Sequence, residues 1–156
     1  TGWRVGYICA PKWIANGSIK VQGQITSANS SISQRAALAA ISGDLTPTLK
    51  MVEEYKRRRD IVYHLLKDIP GIKANYPQGA FYFFPDVSDY FGKSDGTTTV
   101  NNGEDFCMYI LDKAHVSLVA GGAFGEERCV RLSYAASEKE LVEALKRIKE
   151  ALSQLK

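Results

Sequence analysis

This sequence has few residues of the kinds that bind metals or form disulfides. Its three cysteines, Cys9, Cys107 and Cys129, stand far apart without a C-x-x-C spacing, and its two histidines have no second ligand type at metal spacing. The sequence therefore predicts no metal site. An odd number of scattered cysteines is typical of a reducing compartment, so we expect a cytoplasmic protein.

A strong charge of one sign and long apolar runs are also lacking. The net charge is only +3, and the basic run KRRR at 56–59 follows Glu53 and Glu54 by one turn, which favours a solvated helix face. No aromatic platform accompanies these cations, so we expect no nucleic-acid partner. No stretch of about 18 apolar residues occurs, so we expect no membrane span. No signal peptide is visible.

The sequence does contain alternating strand and helix patterns. Its 156 residues are 45% hydrophobic and 24% charged, which suffices for one good core or two small ones. Interleaved strands and helices predict an α/β architecture, with α+β character in the C-terminal part.

The first 44 residues show one strand pattern and two helix patterns. RVGYIC at 4–9 predicts a strand, and KWIANGSIKVQGQI at 12–25 predicts a helix. TSANSS at 26–31 predicts a polar loop, and ISQRAALAAI at 32–41 predicts a second helix. One strand cannot close a sheet, so we expect exposed apolar surface here and predict that residues 1–44 belong to a larger domain.

The sequence from 45 to 135 predicts a long helix followed by mixed elements. Apolar residues at three- and four-residue steps from Leu45 to Ile69 predict an amphipathic helix that ends at Pro70-Gly71 and joins two lobes. The elements predicted after it are strands at 72–77 and 79–87, a polar surface loop at 88–103, a helix at 104–115, a strand at 116–121, a glycine-rich bend at 121–125 and a strand at 129–135.

An amphipathic helix closes the chain. Ser137 and Glu140 form a capping-box pattern. These elements suffice for a complete small domain over 71–156, with 45–70 as the interdomain helix. The predicted buried stripe of the last helix is Leu141, Leu145, Ile148, Leu152 and Leu155.

Two arginines are candidates for binding an anion. Arg4 follows a Gly-Trp turn, which can direct its side chain into a cleft. Arg131 lies in the strand pattern CVRLSYA and alternates away from Val130 and Leu132, onto the other face of the sheet. A covered guanidinium there needs an anion, and a carboxylate or phosphate fits its planar fork. The alternative for each residue is an exposed or internally paired arginine.

Several motifs occur in the order found in one enzyme family. TGWRVGY, GAFYFFPDV, LVAGGAFGEERCVRLSYA and the closing helix resemble class I pyridoxal-phosphate-dependent aminotransferases, closest to the aspartate aminotransferase branch. The family pattern around the first motif reads S-K-x-x-x-M-x-G-W-R-x-G-Y. The resemblance covers essentially the whole chain. It implies the C-terminal part of the aminotransferase fold, with residues 1–44 as a remnant of the large cofactor-binding domain.

The resemblance also implies roles for the two arginines. Arg4 is similar to the arginine that holds the phosphate of pyridoxal 5'-phosphate, and Arg131 to the arginine that binds the substrate α-carboxylate. No lysine here, Lys12 included, matches the catalytic position. The resemblance therefore places the Schiff-base lysine upstream of Thr1 and implies no catalytic residue within this C-terminal fragment.

The implied reaction moves an amino group between an amino acid, with aspartate favoured, and a 2-oxo acid, in a homodimer with shared sites. The chain alone is expected to be inactive. Two alternatives stay open. One is a pyridoxal-phosphate-dependent lyase of the same fold, which releases pyruvate and ammonia. The other is a non-catalytic carboxylate-binding or regulatory module, which exposed apolar surface near residues 1–45 argues against.

Overall fold

The chain divides into two compact units. A computed structural model describes residues 2–156, and the units are Thr1–Lys50 and Met51–Lys156. No helix within residues 2–156 combines the length and the apolar character needed to cross a membrane. The sequence-based division into 1–44, 45–70 and 71–156 stays a prediction.

The first unit contains two helices and an irregular N-terminal segment. Helices α1 (Lys12–Ile25) and α2 (Ser31–Ser42) confirm the two helix predictions and the polar loop between them. The strand predicted at 4–9 is wrong, because residues 4–10 form no regular element. A strand needs a neighbour that shares its hydrogen bonds, and residues 2–50 contain no second strand.

Both helices of this unit leave large apolar side chains in contact with solvent. No residue of α1 is buried, and α2 buries only Ser33. The predicted exposed apolar surface is therefore present. Side chains more than half exposed include Trp13, Ile19, Ile25, Ile32 and Ile41.

The long helix α3 (Thr46–Lys67) confirms the prediction to within two residues at each end. Val62 and Leu66 are buried on one face, as their four-residue spacing requires. After α3 the second unit contains β1 (Tyr82–Phe83), a 3-10 turn (Ser88–Tyr90), β2 (Lys93–Ser94), β3 (Thr99–Val100), α4 (Gly103–Ala114), β4 (Val119–Ala120), a 3-10 turn (Gly121–Phe124), β5 (Val130–Ser133) and α5 (Glu138–Leu152).

Three of the strands form one antiparallel sheet in the order β1-β5-β4. Because the pairing is antiparallel and helices accompany the sheet, this unit has the predicted α+β character. The strands are shorter than predicted. The strand predicted at 72–77 is wrong, because that segment makes a single antiparallel bridge, between Lys73 and Asp86.

The segment predicted as a surface loop, 88–103, contains the hairpin β2–β3. Asp95 closes its turn, because one carboxylate oxygen accepts hydrogen bonds of 2.8 Å from the amides of Thr97 and Thr98. Gly96 adopts a φ of 92°, which favours glycine. A tight Asx turn, rather than an irregular loop, therefore shapes this polar stretch.

The core of the second unit joins the sheet to α3, α4 and α5. Ser137 and Glu140 form both arms of the predicted capping box at the start of α5. All five residues of the predicted stripe are buried: Leu141, Leu145, Ile148, Leu152 and Leu155. The first four lie on α5 as predicted, whereas Leu155 lies beyond the end of the helix at Leu152.

Candidate functional site

Arg131 lies on the face of the sheet opposite the core, as predicted. Val130 and Leu132 are buried, whereas Arg131 is partly exposed between them. In the register of the sheet, Val119 of β4 is the direct partner of Arg131. Tyr82 of β1 pairs with Ser133, two residues along β5, and so lies on the same face as Arg131.

Two aromatic rings hold the guanidinium of Arg131. Its Cζ atom lies 4.7 Å from the ring centroid of Tyr82 and 4.8 Å from that of Phe124. Both distances are within the range of cation–π attraction. Sequence reasoning missed these two partners. The aromatic run GAFYFF was a signal for Tyr82, but only the strand register shows which ring meets the arginine.

The guanidinium of Arg131 has no acceptor of its own within residues 2–156. Five other arginines contact a carboxylate: Arg57, Arg58, Arg59, Arg128 and Arg147. No buried side-chain nitrogen or oxygen among the described residues lacks a hydrogen-bond partner. The guanidinium nitrogens of Arg131 have no hydrogen-bond partner among the described residues, so they are not among the buried atoms and must reach the surface. Their N–H groups are available there to a ligand.

The glycine-rich turn before β5 places Phe124. The amide of Gly121 donates a 2.8 Å hydrogen bond to the carbonyl of Cys129, and the carbonyl of Gly121 accepts a bond from Glu126. A Cβ on Gly121 would lie 2.2 Å from the Glu126 oxygen and 2.3 Å from the Cys129 oxygen. The structure shows that Gly121 is required by its own neighbouring backbone.

The segment that leads into Tyr82 is fixed to α3 by polar contacts. Arg59 stacks over Tyr76, with its Cζ 4.3 Å from the ring centroid, and donates a hydrogen bond to the carbonyl of Pro77. The Tyr76 hydroxyl donates a 2.6 Å hydrogen bond to Asp60, and Arg59 donates another of 3.0 Å. The bond from Tyr76, followed by that from Arg59, lowers the pKa of Asp60.

Arg4 lies in the first unit and lines two cavities there. It has a φ of 51°, in the left-handed region, and follows the turn at residues 2–3. One cavity of about 670 Å³ also includes Trp3 and Ser33. The other, of about 780 Å³, includes Ser27 and Asn29 from the polar loop. No carboxylate within residues 2–156 pairs with Arg4.

The two predicted residues therefore belong to different units, and each offers a guanidinium that no described carboxylate neutralises. Arg4 is exposed among hydroxyl and amide side chains, and Arg131 is partly covered by aromatic rings. Free guanidinium forks in these settings are typical of proteins that bind carboxylates or phosphates.

Comparison with known proteins identifies the family. Residues 1–148 match the family model described as aminotransferase class I and II. The chain is 48% identical over 162 residues to a bifunctional aspartate aminotransferase and glutamate/aspartate-prephenate aminotransferase from Petunia hybrida, covering 100% of this chain and 33% of that protein. It is 42% identical to an aspartate aminotransferase from Pinus pinaster, covering 97% and 32%.

The fold comparison agrees. The crystal structure of an aspartate aminotransferase from Rhizobium meliloti is 41% identical, covers 99% of this chain and 39% of that chain, and superposes with a TM-score of 0.87. The chain belongs to the class I and II aminotransferase family. It spans about a third of the length of the curated relatives it matches. The family resemblance and the mixed helix–sheet fold, as a portion of the aminotransferase fold, are thereby confirmed.

Proposed function

We propose that this chain is part of a pyridoxal-phosphate-dependent aminotransferase that moves an amino group between aspartate and a 2-oxo acid. The observation that carries the proposal is the guanidinium of Arg131, which is held by two rings and has no acceptor among the described residues. Several relatives of this chain are aspartate aminotransferases, which supports aspartate as the amino donor.

Arg131 binds the α-carboxylate of the substrate in this proposal. Its planar fork offers two parallel N–H donors that match a carboxylate, and its strand fixes the direction of the fork. Two parallel hydrogen bonds restrict rotation of the substrate about its carboxylate, which orients the Cα–H bond for deprotonation. An amino acid and its 2-oxo acid both carry this carboxylate, so one arginine serves both halves of the reaction.

Arg4 holds the phosphate of the cofactor in this proposal. The residues present fit that group, because an exposed guanidinium without a described carboxylate partner shares a cavity with Ser27 and Asn29, which offer further donors. When bound, pyridoxal phosphate supplies the electron sink that stabilises negative charge at Cα. Arg4 neutralises phosphate charge and positions the group.

Three further features belong to the proposal. The homodimer rests on the family resemblance, the location rests on the scattered cysteines, and the division of the chain rests on its sequence patterns together with the resemblance. The protein acts as a homodimer with shared sites, and it is cytoplasmic. Residues 1–44 belong to the cofactor-binding domain, 45–70 form the interdomain helix, and 71–156 form the small domain. The exposed apolar side chains of α1 and α2 support the view that the first unit packs against further structure, and they disfavour the free-standing binding module.

The test is an assay of the complete polypeptide that the gene encodes, loaded with pyridoxal phosphate. With aspartate as donor and 2-oxoglutarate as acceptor, we expect oxaloacetate, and prephenate is tested as a second acceptor because some relatives are named for it. Pyruvate and ammonia as the main products would instead establish the lyase. No turnover with either acceptor and no lyase products would overturn the proposal.

Substitution of the arginine tests its role. Arg131→Lys keeps the positive charge but loses the fork, so we expect kcat/KM for aspartate to fall about 10- to 150-fold. Arg128→Lys is the matched control, because Arg128 is exposed and pairs with Glu126 in the preceding turn. Equal activity of the two variants would exclude Arg131 as the carboxylate ligand.

A further inference from the structure

We propose that Tyr82 and Phe124 are positioning residues, whose rings hold the Arg131 guanidinium ready for a carboxylate while leaving its N–H donors free. The inference rests on the proposed role of Arg131 in substrate binding. It adds two residues that do not themselves contact the substrate carboxylate but set how well Arg131 binds it.

The first step of the argument is the difference between Arg131 and the other stacked arginines. Arg59 lies over Tyr76 and Arg58 over Tyr55, at 4.3 and 5.8 Å from the ring centroids. Each of these also has a carboxylate partner, Asp60 for Arg59 and Glu54 for Arg58. Arg131 has two rings and no described carboxylate, so aromatic contact replaces the ion pair.

The second step is what this replacement achieves. An internal carboxylate would occupy the donor fork and would have to be displaced by the substrate. A ring face attracts the guanidinium through its quadrupole without accepting its in-plane N–H groups. The Arg131 side chain is thereby ordered before the substrate arrives. The entropy lost on ordering it therefore does not weaken substrate binding.

The third step is that both rings are themselves supported. Tyr82 lies in the sheet register opposite Ser133, and its ring contacts Phe81 at a centroid distance of 4.4 Å. Phe124 ends the turn that begins at Gly121, and its ring meets Phe84 edge-on, at 6.0 Å and 88°. Rings fixed in this way can position a cation.

The effect of the Tyr82 ring can be separated from that of its hydroxyl. It makes no hydrogen bond with any of residues 2–156, whereas the hydroxyls of Tyr76, Tyr90, Tyr109 and Tyr134 each do. The proposal assigns the effect to the ring, so Tyr82→Phe should behave as the parent protein does, and Tyr82→Leu should not.

The enzymatic test compares these variants in the complete, cofactor-loaded polypeptide. For Tyr82→Leu and for Phe124→Leu we expect KM for aspartate and for the 2-oxo acid to rise about 3- to 30-fold, with kcat little changed. Tyr82→Phe should restore the parent KM. Unchanged KM in both leucine variants, or a Tyr82→Phe variant as weak as Tyr82→Leu, would overturn the proposal.

A spectroscopic test needs neither activity nor a variant that folds poorly. In the 156-residue chain, ring currents should shift the Nε–H proton of Arg131 upfield of the signals of Arg4 and Arg35, which contact no ring among the described residues, and Arg131→Lys assigns the signal by its loss. An unshifted signal would overturn the positioning role. An upfield Arg131 signal together with an unaltered kcat/KM in Arg131→Lys would be a different result. It would confirm the ring contacts but refute the proposed role of Arg131 in the reaction.

Discussion

The hydroxyl of Tyr134 donates a 2.8 Å hydrogen bond to the carbonyl of Ala80. Ala80 has a φ of 58°, in the left-handed region that is costly for a residue with a Cβ. The bond therefore helps to hold an unfavourable backbone conformation two residues before Tyr82. The bond links the residue just after β5 to the segment just before β1. It therefore lies at one end of the β1–β5 strand pair, and β5 carries Arg131.

Removal of that hydroxyl should destabilise the protein. Tyr134→Phe keeps the buried ring but leaves the Ala80 carbonyl without this donor, so we expect the free energy of unfolding to fall by about 1 kcal/mol. Urea unfolding followed by circular dichroism measures the change. Tyr82→Phe is the control and should unfold as the parent does. Equal stability of Tyr134→Phe and the control would show that the bond contributes nothing.

The glycine-rich turn gives a sharper contrast between two adjacent positions. At Gly121 a Cβ would lie 2.2 Å from a backbone oxygen, whereas at Gly122 it would lie 3.8 Å from the Glu127 side chain. We expect Gly121→Ala to cost about 3 kcal/mol or more, because backbone must move, and Gly122→Ala to cost little. Thermal unfolding of both variants tests this. Similar melting temperatures would contradict the tight packing around Gly121.

The helices could be predicted from the sequence because their signals are local. Local patterns predicted α1 to α4 to within two residues at each end, and the Ser137–Glu140 cap that starts α5 depends on residues in one turn. The alternation of Val130, Arg131 and Leu132 likewise predicted the face on which the arginine lies.

The strand pairing and the aromatic contacts could not be predicted in this way. Phe83 pairs with Leu132, which is far away in sequence, and no local pattern specifies that register. The contact of Tyr82 with Arg131 depends on it. The predicted strand at 4–9 fails for the related reason that apolar pattern alone does not supply a partner within residues 2–50.

The Asp60–Tyr76 contact should make stability depend on acid pH. The hydrogen bond from Tyr76 lowers the pKa of Asp60 below its ordinary value of 3.8. The ionised carboxylate therefore stabilises the folded state above pH 3.8, and this contribution disappears as the pH falls through the lowered pKa. The Asp60 side chain is half exposed, so solvent screening keeps the effect below about 1 kcal/mol.

Tyr76→Phe tests this contact. We expect the variant to have a lower free energy of unfolding than the parent at pH 7, and the gap should narrow as the pH falls below 3.8. Urea unfolding at pH 7, 5, 4 and 3, at constant ionic strength, measures it. A gap that stays constant with pH would show that loss of packing, rather than the bond to the carboxylate, causes the difference.

Arg4 should contribute to cofactor affinity. In the complete polypeptide, Arg4→Gln removes one charged donor from the phosphate, and we expect pyridoxal phosphate to bind about 10- to 100-fold more weakly. Equilibrium titration followed by the cofactor's absorbance measures the affinity. Arg35→Gln is the control, because Arg35 is also exposed and has no carboxylate partner among the described residues. Equal affinity in the two variants would remove Arg4 from the phosphate site.

The 156-residue chain should not catalyse transamination by itself. None of its lysines occupies the position that the family pattern gives to the catalytic lysine, which stands before the Gly-Trp-Arg motif. Arg4 and Arg131 are the proposed anion ligands, but neither can form the covalent bond to the cofactor that the reaction needs, since a guanidinium stays protonated and is not a nucleophile at neutral pH. We expect no oxaloacetate from the purified chain with aspartate, 2-oxoglutarate and excess pyridoxal phosphate. The contrary result is oxaloacetate formation faster than with pyridoxal phosphate alone, retained after repeated purification of the chain. It would show that a lysine within the chain takes the catalytic role.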